Sequence, residues 1–348
     1  MEFRLISFDS MGAKSSCTLV KTPDTSILID PGAAIMQKSF PLQDDEKQLY
    51  LHNAIKLIKE EMKKVEHIVI SHYHFDHYML DEESCEIYLN SDMWIKDPNR
   101  WINHSQWERS RDFLKLMNKV NKTNLKHCPP GQKQYKDPVE CLPIAFSMNF
   151  GNYQKRREEL ISNWRKRFMK MQKRWSSERW VEPISSTMHF SDGSGFEVGG
   201  TSVRFSRPLF HGIEYSATGW VIATIIEYGA KKLIHTSDLQ GPTIEDHAQW
   251  IIDENPDILI LDGPATYLFG YLLNRTNLDR SINNIIRIIR ESAPDLIIYD
   301  HHLLRDPLYR ERTAKVWETA DDMHVRIMTA AEYNGLVPVV LKSIDGDV

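Results

Sequence analysis

The chain has 348 residues, 41% of them hydrophobic, and a formal net charge of −5. That is enough to bury one large domain or two ordinary ones, and the charge by itself predicts no polyanion partner. Cys17, Cys85, Cys128 and Cys141 form no CxxC pair, which argues against a thiolate zinc site or a disulfide scaffold and fits a reducing cytoplasm. Met1-Glu2-Phe3-Arg4 is no apolar leader, and no stretch approaches the ~20 apolar residues of a membrane helix, so no membrane partner is expected.

Residues 3–8, 17–21 and 26–30 are short, β-rich and separated by Gly, Ser, Pro and Asp, and they predict a meander of strands. The third, Ser26-Ile27-Leu28-Ile29, runs into Asp30-Pro31-Gly32, which is strong turn chemistry. Residues 45–64 have helical period, with Leu49, Ile55, Leu57, Ile58 and Met62 as the apolar positions. His67-Ile68-Val69-Ile70 reads as a buried strand that ends at Ser71-His72-Tyr73-His74-Phe75-Asp76-His77-Tyr78. Four potential metal ligands, His72, His74, Asp76 and His77, follow that strand within six residues. In extended backbone His72 and His74 point the same way, while Asp76 and His77, after a turn, can face a second point nearby. That pattern suits two ions. Imidazole and carboxylate without thiolate select zinc first, with iron or manganese admitted.

His-x-His-x-Asp-His resembles the signature of the metallo-β-lactamase superfamily. The resemblance implies an α/β fold, a four-layer αββα sandwich. It also gives Asp30 a role, since the superfamily's first motif places an Asp after an apolar strand to brace the ligand loop.

Composition changes near residue 91. Residues 91–180 hold 20 Lys and Arg against 9 Asp and Glu, while the rest of the chain holds 23 against 39. Six of the nine tryptophans lie there, and Leu160, Trp164, Phe168, Met171 and Trp175 form one helical stripe. Residues 91–182 are therefore expected to be a basic, mostly helical insertion between two parts, 1–90 and 183–348, of the sandwich. The insertion has three readings: a basic surface for nucleic acid, a lid whose stripe is core, or a contact in a homo-oligomer.

The second half repeats the first. Glu197–Ser206 carries a Gly199-Gly200 hairpin turn, Trp220–Glu227 and Lys232–His235 read as a β pair, and Asp257–Asp262 as a buried strand. Ile282, Ile285, Ile286 and Ile289 mark a helix, and Leu296–Asp300 a last strand before His301-His302. His211 in Pro208-Leu209-Phe210-His211-Gly212 resembles the superfamily's third motif, Asp238 in Thr236-Ser237-Asp238 the fourth, and His301 or His302 the fifth. Asp300 to Asp306 and Ser237 to Pro242 are similar to an uncharacterised archaeal group of this superfamily.

By position, the resemblance implies one metal on His72, His74 and His211. It implies a second on Asp76, His77 and His301 or His302, with Asp238 bridging and His301 preferred. A hydroxide shared by two divalent ions would be the nucleophile, oriented by Asp76 as the catalytic residue. His302 would contact substrate or brace a ligand, and His235 would be core or an outer brace. Hydrolysis of a phosphodiester, in a small molecule or a nucleic acid, is the first expectation. The alternatives are a lactone or thioester hydrolase with the insertion as lid, and a nucleic-acid-binding protein whose metals are structural.

Overall fold

The computed structural model describes residues 1–342. Two β-sheets face each other. The first has six strands in the order Glu2–Phe8, Ser16–Lys21, Ser26–Ile29, His67–Ile70, Asp92–Ile95 and Met188–Phe190. The second has seven, running from Arg326–Met328 through Leu296–Asp300, Ile258–Asp262, Lys231–His235, Thr224–Tyr228 and Thr201–Phe205 to Gly195–Val198. In each sheet a run of parallel pairs adjoins a run of antiparallel ones.

Period-2 alternation decides what each face meets. Ile27, Ile29 and Val69 of the first sheet and Leu233, Ile260 and Ile298 of the second share one buried layer between the sheets. Their neighbours Leu28, Ile68 and Ile70 point outward onto Ile58 and Met62 of the helix Asp44–Met62 and Phe113 of the helix His104–Val120. Leu259, Leu261 and Ile297 do the same on the other side, against Ile282, Ile285 and Ile289 of the helix Arg275–Glu291. Helix, sheet, sheet, helix is the expected αββα order. Each fully buried Ile or Leu contributes about 1.5–3 kcal/mol, so this alternation is the main determinant of the sandwich.

Three details differ from expectation. On the Asp44–Met62 helix, Leu49 and Leu57 are exposed while Ile58 and Met62 are buried. Leu49 lies nine residues before Ile58, half a turn out of phase, so it faces solvent. Trp220–Glu227 is broken: Trp220–Val221 pairs with Leu209–Phe210 in a separate ribbon, and Thr224–Tyr228 joins the sheet. Between them Ile222 N donates to Ser71 O and Ala223 N to Ser206 Oγ, which takes the backbone out of the ladder. Asp92–Ile95, which composition groups with the insertion, is the fifth strand of the first sheet.

Beyond that strand come the helices His104–Val120 and Gln154–Ser177 with the short helix Pro143–Ser147. Phe168 and Trp175 of the aromatic stripe are buried against Trp101, Tyr215 and Trp220. That stripe is core, as helical spacing usually means.

Candidate metal centre

The strand ends converge at one rim of the sandwich. The His67–Ile70 strand delivers the loop with His72, His74, Asp76 and His77. Lys231–His235 leads to Asp238, Leu296–Asp300 to His301 and His302, and the Leu209–Phe210 ribbon to His211. The chain turns sharply where it leaves the sheet: Asp30, Ser237 and His301 have φ of 51°, 53° and 58°, left-handed values unusual for residues with a Cβ. At Gly32 the strand-end loop passes so close to the ligand loop that a Cβ would lie 2.1 Å from the Tyr78 nitrogen.

Asp238 is the meeting point. Its Oδ2 lies 3.2 Å from His72 Nε2 and 3.0 Å from His211 Nε2. Its Oδ1 lies 3.2 Å from His77 Nε2 and 3.1 Å from His301 Nε2. His74 Nδ1 is 3.0 Å from His72 Nε2. Asp76 is 4.0 Å from both His77 Nε2 and His301 Nε2. Three groups have ligand atoms within 4.8 Å of one another: His72, His74, His211 and Asp238; Asp76, His77 and His301; Asp238, His301 and His302. The seven residues named as ligands from sequence thus gather in two sets with Asp238 between them.

Most of these imidazoles are held at one nitrogen and present the other. Ser71 Oγ is 3.0 Å from His72 Nδ1. Asp30 Oδ2 is 2.9 Å from His77 Nδ1, and the Asp30 carboxylate also accepts from Ser71 N and Ser71 Oγ, each at 2.7 Å. Asp9 Oδ1 is 2.7 Å from His301 Nδ1, and its Oδ2 accepts from Arg305 Nε at 2.6 Å. Arg305 Nη2 continues to Asp76 Oδ2 at 3.3 Å. Asp262 Oδ1 is 3.0 Å from His302 Nδ1. His235, buried, is 2.9 Å from the Ser16 carbonyl through Nε2 and belongs to none of the ligand groups. Of the braces, Asp9 carries no motif signal, and reasoning from sequence gives no bracing role to Ser71, Asp262 or Arg305, although each lies in or beside a motif stretch.

The donor set fits divalent cations. His77 Nε2, His301 Nε2, both ring nitrogens of His211 and both oxygens of Asp238 are buried without a hydrogen-bond partner among the described residues. Buried polar atoms are rarely orphaned unless something else engages them. Burial, reinforced by neighbouring imidazoles, lowers His72 to about 4 and His74 well below the usual range, so both stay neutral with lone pairs free. Burial also works against charge on His77 and His301. There the carboxylates prevail: Asp238 and Asp30 lift His77 to about 10, and Asp9 and Asp238 lift His301 well above its ordinary value. Cations on either side of Asp238 would meet the same carboxylates and displace those protons. Asp262 is the opposite case, raised by burial to about 7.

The 91–182 segment reaches this rim through a buried ion-pair network. Arg157 of the Gln154–Ser177 helix lies 2.6 Å from Glu214 Oε1, three residues past His211, and Arg280 holds Glu214 at 2.8 Å and Glu245 at 2.7 Å. Burial opposes ionisation of Glu214, but Arg280 and Arg157 outweigh it and pull the carboxyl down to about 2.

Residues 12–140 match the family model described as the metallo-beta-lactamase superfamily. The chain is 29% identical over 328 residues to a UPF0282 protein of Korarchaeum cryptofilum, covering 94% of this chain and 87% of that one. It is 28% identical over 344 residues to a UPF0282 protein of Methanopyrus kandleri, covering 95% and 92%. Among solved structures, the short form of human tRNase Z is 11% identical, covers 86% of this chain and 92% of that chain, and has a TM-score of 0.39.

Proposed function

We propose that this chain, of the metallo-β-lactamase superfamily and similar over most of its length to archaeal UPF0282 proteins, is a hydrolase that works with two divalent metal ions, zinc first, on a phosphodiester. The observation that carries the proposal is Asp238, whose two oxygens each face a separate pair of imidazole nitrogens at 3.0–3.2 Å. In this reading His72, His74 and His211 would hold one ion and Asp76, His77 and His301 the other, with Asp238 available to both. Bound cations would supply an acidified water and polarisation of a phosphoryl oxygen, which suits a substrate that develops negative charge.

The chain's own groups do the rest. Asp76, with Oδ2 fixed by Arg305, orients the attacking water and takes its proton. Asp30 and Asp9 fix the rings of His77 and His301, so their free nitrogens need no reorganisation. His302, held at Nδ1 by Asp262, keeps its other nitrogen as a hydrogen-bond acceptor on the substrate side. The 91–182 segment borders the substrate and supplies positive charge. Buried Cys17 and Cys85 thiols fit a reducing cytoplasm, and among the described residues no helix is long and apolar enough to cross a membrane.

A second reading is hydrolysis of a lactone or thioester under the insertion as lid. It is favoured by the packing of the Phe168–Trp175 stripe as core and by the Arg157–Glu214 tie beside His211. The test is turnover of bis(p-nitrophenyl) phosphate by metal-quantified protein, with a lactone and a thioester alongside. Diester turnover abolished by chelator and by Asp238→Asn is the expected result. Lactone or thioester turnover without diester turnover would transfer the site to the second reading.

A further inference from the structure

We infer that the Gln154–Ser177 helix carries a track for the phosphates of a single nucleic-acid strand, formed by Lys166, Lys170 and Lys173 with Arg167 beside them. The inference deepens the phosphodiester reading and rests on it only for the direction in which the strand would run.

Residues 160–177 contain six Lys and Arg and no Asp or Glu. Two of the six are tied off within the fold: Arg165 by Asp137 Oδ2 at 2.8 Å, and Arg174 by Glu108 at 2.7 Å and Glu178 at 2.9 Å. The other four, Lys166, Arg167, Lys170 and Lys173, are exposed and have no ion pair or side-chain hydrogen bond among the described residues. The opposite face of the helix is fixed by buried Phe168 and Trp175, so the charged face cannot roll inward.

Positions 166, 170 and 173 stand one above another on a helix and span about 10 Å at 1.5 Å per residue. A nucleic-acid strand places about three phosphates over that length, at 3.4 Å each. Beside Lys170 opens a cavity of about 180 Å³, walled by Ile102, Trp107, Met171 and Trp175. An unstacked base can use such an apolar recess, and a duplex keeps its bases inside, so the recess favours a single strand. The same helix touches the loop after His211 through Arg165 to the Tyr215 hydroxyl at 3.3 Å and through Phe168 against the Tyr215 ring. The helix that bears the track therefore packs against the loop that follows His211.

The test is fluorescence anisotropy of a labelled, non-cleavable 2′-O-methyl oligouridylate over a salt series, with full-length protein. Each phosphate contact to a single strand contributes a slope of about −0.7 to log Kobs against log salt. The triple variant Lys166→Gln, Lys170→Gln, Lys173→Gln should flatten the slope by about 2. The triple Lys→Arg variant should restore it, and Lys→Gln changes at Lys21, Lys63 and Lys231, outside the insertion, should leave it alone. The inference is overturned if the track variant keeps the parent slope, if wild type does not bind the strand, or if a duplex or polyglutamate binds as tightly. Diester turnover is measured separately on wild type. Its absence would sink the hydrolase reading while leaving the slope comparison standing.

Discussion

Asp9 is the residue whose replacement would report most directly on how the rim is held. Its carboxylate is fully buried between His301 Nδ1 at 2.7 Å and Arg305 Nε at 2.6 Å. Burial alone would raise its pKa, but Arg305 and His301 hold it far below the usual carboxylate range, so it is charged at any working pH. Asp9→Asn keeps the shape and removes the charge. Two charge-assisted hydrogen bonds weaken, each contributing about 1.5–3 kcal/mol, and Arg305 is left with only Asp76 as a charged partner. The expected loss is about 3–5 kcal/mol, the range seen when a buried pair is broken from one side. For a chain of this size that is a Tm lower by about 4–7 °C.

Metal affinity tests the geometry more sharply. Losing the group that orients a ligating imidazole typically weakens metal by about 10–100-fold. The Ser15 carbonyl, 3.1 Å from His301 Nδ1, still holds the ring in part, which places the expectation near tenfold. Competition with a chromophoric chelator should show one of two metal equivalents weakened and the other unchanged. If Tm falls while both equivalents keep parent affinity, Asp9 only supports the fold, and the account of His301 is wrong.

The choice between the adjacent histidines can be settled by counting metal: His301→Gln should lose one equivalent and His302→Gln should retain two, because His301 Nε2 lies 3.1 Å from Asp238 Oδ1 and His302 makes no such contact among the described residues. The reverse count by elemental analysis would exchange their roles. Gly32→Ala would drive a methyl into the Tyr78 and His77 backbone, where the available gaps are 2.1 and 2.5 Å. The expected effect is a loss of about 1–3 kcal/mol or more in denaturant unfolding with weaker metal binding, and an unchanged midpoint would show the loop can shift freely. Glu214, depressed from its ordinary 4.5 to about 2, gives stability that is present above pH 4.5 and lost as pH falls toward 2. That is about 3 kcal/mol, so the stability gap between wild type and Glu214→Gln should close across this window. A gap independent of pH there would mean that the arginines do not act on Glu214 as charges.

How much the residues alone reveal depends on distance along the chain. His72, His74, Asp76 and His77 are legible because one loop presents them all, and the alternation of Ile27-Leu28-Ile29 and His67-Ile68-Val69-Ile70 states which face is buried. His301 is legible because it directly follows a strand, and Asp238 because it comes three residues after one. Asp9 cannot be found that way: its partners are His301 and Arg305, nearly three hundred residues away, and an Asp after a strand looks like any turn. Arg305 and Asp262 are hidden for the same reason. The break at Ile222 is invisible because Trp220–Glu227 is uniformly β-prone, and only the approach of Ser71 from the other sheet interrupts it. Composition groups Asp92–Ile95 with the basic segment because it is Trp- and charge-bearing like the helices after it, yet it pairs within the sheet.

The rim takes His72, His74, Asp76 and His77 from one sheet, Asp238 and His301 from the other, and His211 from the Leu209–Phe210 ribbon. Cations held there would act as a clasp between two halves that otherwise touch mainly through aliphatic side chains. Metal supply then becomes a condition for the chain's lifetime: at a hundredfold excess over Kd each site adds about 2.7 kcal/mol against opening. A nascent chain could offer its first four ligands early, but the clasp could close only after His301 has been made. Starved of metal, the protein would lose the proposed turnover and also be exposed to proteolysis where the sheets part.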